Sequence, residues 1–89
     1  MQLFKSDRLL TQKGSKMDNK EIRNRVEAIL AGNRLPVRVN VERILDGATV
    51  FVPKQVPDAL QGQISLATGA SKVDILTHND KSIIILKGV

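Results

Sequence analysis

The chain has 89 residues, room for one domain, and a domain of this size buries only about 60–65% of its unfolded surface. It carries 14 Lys/Arg against 9 Asp/Glu and no Cys, which excludes disulfides, thiolate nucleophiles and Cys-based metal sites. No apolar stretch approaches the length of a membrane span and the first ten residues hold no signal-peptide core, so a soluble, cytoplasmic protein without a membrane partner is expected.

Residues 1–17 read as a basic, flexible N-terminal segment. Leu3-Phe4 and Leu9-Leu10 suit a short helix or an edge strand, and the stretch from Gln12 to Lys16 has linker composition. Met17 stands directly before a helix start and is a candidate second initiation site, which would make residues 1–16 an appended tail. Residues 18–89 read as one small two-layer α+β domain with the order α-β-β-α-β-β.

The first helix opens on Asp18 with Glu21 three residues on, a capping-box spacing. Ile22, Val26, Ile29 and Leu30 recur on one face, and Gly32-Asn33 marks the stop. Beyond Pro36, Val37, Val39 and Val41 alternate with polar residues and predict a half-buried strand. Asp46-Gly47 predicts a tight turn, with Gly supplying positive φ, and residues 49–52 the return strand, closed by Pro53. A second helix is predicted over residues 57–68, opened by Asp58 with Gln61 or by Pro57 at the first helical position, and stopped at Thr68-Gly69. Residues 72–76 and 82–87 predict the last two strands, joined by a turn at residues 78–81. The unbroken run Ile83-Ile84-Ile85-Leu86 suits a central strand buried on both faces.

Little in this pattern carries reaction chemistry. His78 is the single His, with no second His or Cys to complete a metal or catalytic site, and reads as a solvated turn residue. Asp46, Asp58, Asp74 and Asp80 fall at turns, a cap and a strand exterior. The stretch from Ala67 to Ser71 reads as a helix stop rather than a phosphate loop. No catalytic residue, metal or cofactor is expected, and the chain reads as a non-enzyme.

The basic residues remain. Residues 1–34 hold eight of them (Lys5, Arg8, Lys13, Lys16, Lys20, Arg23, Arg25, Arg34) against Asp7, Asp18, Glu21 and Glu27, while residues 35–89 are nearly balanced. Lys20, Arg23, Arg25, Arg34 and Arg38 are the candidates for one phosphate-binding patch, with Lys13 and Lys16 on a trailing arm. The same residues would serve equally to solvate an exposed helix face. With two Phe and no Tyr or Trp, a base-stacking sheet is not expected.

Two resemblances bear on function. The run Asp-Gly-Ala-Thr-Val-Phe-Val-Pro-Lys-Gln-Val-Pro-Asp-Ala-Leu over residues 46–60, with Asn79-Asp80-Lys81-Ser82-Ile83-Ile84-Ile85-Leu86-Lys87, resembles the swapped-hairpin DNA-binding fold of transition-state regulators and antitoxins. It implies an interleaved dimer that grips DNA. This chain departs at Ala48 and Thr49 and at Pro57-Asp58, where that family carries basic residues, and in the length between Leu60 and Val73. Residues 64–88, with Thr68-Gly69-Ala70, Lys72-Val73-Asp74-Ile75 and the closing Ile-Ile-Ile-Leu-Lys-Gly, are similar to the tail of a KH RNA-binding module without its Gly-x-x-Gly loop. Modules of that kind also serve in protein assembly. The leading expectation is a small nucleic-acid-binding or regulatory protein, DNA favoured over RNA, acting through phosphate contacts and forming a homo-oligomer. The alternative is a protein-interaction adaptor, including an inhibitor of a nucleic-acid enzyme.

Overall fold

Asp18 starts the first helix as its spacing implies: it sits in extended backbone and its Oδ1 accepts from the Glu21 N–H at 2.8 Å. The computed structural model describes residues 17–89. In chain order these form α1 (Asn19–Gly32), β1 (Asn40–Ile44), β2 (Gly47–Val52), a single 3-10 turn (Asp58–Leu60), α2 (Gln61–Thr68), β3 (Lys72–His78) and β4 (Lys81–Lys87). The expected α-β-β-α-β-β order is observed. The N-terminal segment of residues 1–16, with Lys13 and Lys16, lies outside the described residues.

The end of α1 differs in detail from the Gly-Asn stop. The helix runs through Gly32, and Arg34 adopts the left-handed conformation at φ 68. The Arg34 N–H donates to Ala31 O and the Leu35 N–H to Leu30 O, the paired bonds of a Schellman cap with an arginine in the usual glycine position. Pro36 then prevents any return to helix.

The alternating valines after Pro36 keep their burial but not their hydrogen bonding. Val39 is buried, and Leu35, Val37 and Val41 pack half-buried on the core, yet the ladder starts only at Asn40. The Val39 N–H donates at 2.9 Å to Glu27 Oε2 on α1 instead of to a neighbouring strand. A helix carboxylate thus replaces the strand partner, and the segment is held against α1.

The β1–β2 turn is Leu45-Asp46, between the paired residues Ile44 and Gly47, and neither turn residue has positive φ. Gly47 is therefore not the turn residue the dipeptide predicts. It is the first residue of β2, and the cause is steric: a Cβ there would lie 1.8 Å from Leu86 O. Glycine lets β4 approach at this corner.

All four strands form one antiparallel sheet of order β1-β2-β4-β3. Both helices cover the same face, α1 beside β1 and α2 beside β3. Ile22, Val26, Leu30 and Ile64 meet Ala48, Val50, Val52, Ile75, Ile84 and Leu86 in a single core. Each large aliphatic side chain so buried contributes about 1.5–3 kcal/mol. The Val56 loop is tied to this core by one bond, its N–H donating to the buried Ser82 Oγ at 2.8 Å.

Two expectations change here. Asp58 and Gln61 do not form a capping box: the chain enters α2 through the 3-10 turn, with Leu60 N–H donating to Pro57 O and no side-chain cap at Pro57. And β4 is central but buried on one face only. Ile84 and Leu86 point into the core, while Ile83 and Ile85 are half-exposed on the opposite face, because no element crosses that side among the described residues. No helix of the described residues is long and apolar enough to cross a membrane.

Candidate nucleic-acid interface

The pairing register assigns the open face of the sheet row by row. Asn40, Phe51, Ile83 and Leu76 form one row across β1, β2, β4 and β3; Glu42, Thr49, Ile85 and Asp74 form the next. His78 pairs with Lys81 beside the first row, and Lys72 with Lys87 beyond the second. The face thus carries an apolar cluster of Phe51, Ile83, Leu76 and Ile85, with the carboxylates Glu42 and Asp74 on its two edge strands and lysines towards both ends. Phe51 is 37% exposed and Leu76 54% exposed.

Phe51 is the only Phe, Tyr or Trp among the described residues, and three adjoining hollows share it as a wall. The first runs along the β1 edge, where the N-terminal half of α1 brings Lys20 and Arg23 against Asn40 and Glu42. The second lies between Arg38 and Lys81, beside Asn40 and Pro53. The third is framed by His78, Lys81 and Ile83. Four full cations therefore line these hollows against one carboxylate, Glu42.

Helical geometry explains why only part of the predicted basic set meets here. At about 100° per residue, Arg23 and Arg25 fall on opposite flanks of the buried stripe. Arg23 and Lys20 take the flank beside β1. Arg25 takes the flank beside α2, where its guanidinium donates to Glu21 Oε2 at 2.7 Å and to Ala67 O at 2.9 Å. The shallow depression there holds Asp18 and Glu21 with Lys20 and Arg25, a balanced set. Arg25 thus joins two helices rather than adding to a cationic patch.

Arg34 is also separated. It caps the far end of α1, and the helix from Lys20 to Gly32 rises about 18 Å. Arg38 rejoins the group because residues 35–39 run back along α1 as far as Glu27. The structure therefore brings together Lys20, Arg23 and Arg38, and leaves Arg25 and Arg34 elsewhere.

Phe51, Asn40 and Lys81 were not singled out from the sequence. The strand alternation around Val50 and Val52 does send Phe51 outwards, a signal readable in advance, but the low aromatic count argued against a stacking surface. A count says nothing about position. Lys81 becomes a neighbour only through the β2–β4 pairing. Among the described residues, no three His, Asp or Glu side chains converge as a metal-binding group. No family model, curated protein or solved structure matches this chain.

Proposed function

We propose that this is a small non-enzymatic protein that binds nucleic acid, mainly through phosphate contacts from Lys20, Arg23, Arg38 and Lys81. The observation that supports this reading is their convergence, from α1, the linker that follows it and β4, on hollows that share one wall. Cations that converge from separate elements concentrate positive potential on one surface, which favours a polyanion there. The α1, linker and β4 backbones fix where these side chains start, and each Lys or Arg that settles on a phosphate still gives up about 0.5–1.5 kcal/mol of side-chain freedom.

The test is a salt titration of binding to labelled single strands and duplex. With four phosphate contacts, affinity should fall by roughly 50- to 150-fold between about 50 and 200 mM salt. Changing Lys20, Arg23 and Arg38 together to Gln should flatten the log–log salt slope by about 2–3, at roughly 0.7–0.9 per phosphate. No binding at the lower salt, or an unchanged slope, would sink the proposal.

A second reading rests on a different observation, the apolar row Phe51, Ile83 and Leu76 with Ile85 beside it. Such a face fits a protein partner or a second copy of the chain. Leu76→Thr with Ile85→Thr separates the readings: it would lower molecular mass or partner binding in sedimentation under this second reading and leave nucleic-acid affinity unchanged under the first.

A further inference from the structure

We infer that the nucleic acid is single-stranded and that Phe51 is its stacking platform, an inference that rests on the phosphate-binding reading above. Phe51 stands in the middle of an open sheet face, flanked in its row by Asn40 and Ile83. In a closed duplex the base faces are stacked on one another, and a phenyl ring on a sheet cannot reach them. Unpaired bases present their faces, and stacking on an aromatic ring is tolerant of base identity.

The cations fit the same ligand. Lys20 and Arg23 lie on one side of Phe51, with Arg38 and Lys81 beside the neighbouring hollow, so that a backbone can pass around the ring while a base lies on it. Asn40, directly opposite Phe51 on β1, offers both an amide donor and an acceptor to a base edge. Ile83 continues the platform with an apolar surface for the next base. Glu42 borders the first hollow and sets its limit, since a phosphate is repelled there.

The experiment uses the full chain and end-labelled strands of about 12 nucleotides, within the range of site sizes for such platforms. Oligothymidylate, oligouridylate and a mixed duplex are compared by fluorescence anisotropy. Phe51→Ala should weaken binding to the single strands about 5- to 150-fold, leave duplex binding unchanged and keep the wild-type circular dichroism spectrum. Phe51→Leu, which retains bulk, should also lose affinity, and Phe51→Tyr should retain it. The DNA and RNA arms show which sugar is preferred.

Equal single-strand affinity in wild type and Phe51→Ala overturns the stacking inference and leaves the phosphate reading standing. A loss that extends equally to duplex also overturns it, because the ring would then act on the surface as a whole. If wild type binds none of the probes at about 50 mM salt, both readings fall.

Discussion

Gly47→Ala should be among the most damaging substitutions in this domain, and Gly47→Asn should be no better. A methyl at Gly47 would meet Leu86 O at 1.8 Å, Leu86 C at 2.8 Å and Lys87 Cα at 3.0 Å, all backbone atoms. Ordinary contact begins at 3.4 Å, so β4 must retreat by more than an ångström at this corner. The retreat strains the Gly47–Lys87 end of the ladder and the bond from Gly88 N–H to Asp46 O, now 2.7 Å. Overpacking costs about 1–3 kcal/mol and the lost bond about 1 kcal/mol, against a gain of about 0.4–1 kcal/mol from stiffening the unfolded chain. The net is a loss of about 1–4 kcal/mol. In urea, at a slope near 1 kcal/mol per molar for so small a domain, the midpoint should fall by about 1–4 M. The Asn variant distinguishes the causes, because Asn tolerates positive φ but not a backbone clash. Wild-type stability in Gly47→Asn with a modest loss in Gly47→Ala would show that Gly47 serves the turn, and would refute the close-approach account.

Three further outcomes follow from named contacts. Ser82→Ala removes the acceptor of the buried Val56 N–H and should cost about 1–3 kcal/mol, a drop in Tm of roughly 5–20 °C by calorimetry, with nucleic-acid binding preserved. Arg34→Gly relieves a non-glycine residue at φ 68 and should raise stability by about 1 kcal/mol in denaturant melts, while leaving nucleic-acid affinity unchanged because Arg34 lies away from Phe51. Arg25→Gln and Arg23→Gln should part company: the first loses at most about 1 kcal/mol of stability, from an exposed pair, and keeps the salt slope of binding, whereas the second keeps stability and lowers the slope.

Much of the fold is legible in local pattern because helix and strand periods, caps and turn residues are short-range. Asp18 with Glu21, the stripe Ile22, Val26 and Leu30, and Gly69 at φ 73 act within a few residues, so α1 and the end of α2 were readable. The α+β class and element order follow from the same periodicities. The strand pairing does not, and the larger departures trace to it or to contacts between distant residues, whereas the Arg34 cap and the 3-10 entry to α2 are local bonds that another residue pattern could equally have made. Gly47 is set by Leu86, the start of β1 by Glu27 on α1, and the half-open state of β4 by the placement of both helices on one face.

The candidate site divides in the same way. Composition determined that the chain is basic and lacks Cys, and residue order that its charge lies towards the N-terminal third. Only the tertiary structure decided which cations share a surface, since Arg23 and Arg25, two residues apart, face different elements, while Arg23, Arg38 and Lys81, far apart in sequence, border hollows around Phe51. Charge is a property of residues one at a time. A binding surface depends on distances between residues that the chain separates, and those exist only after the strands have paired.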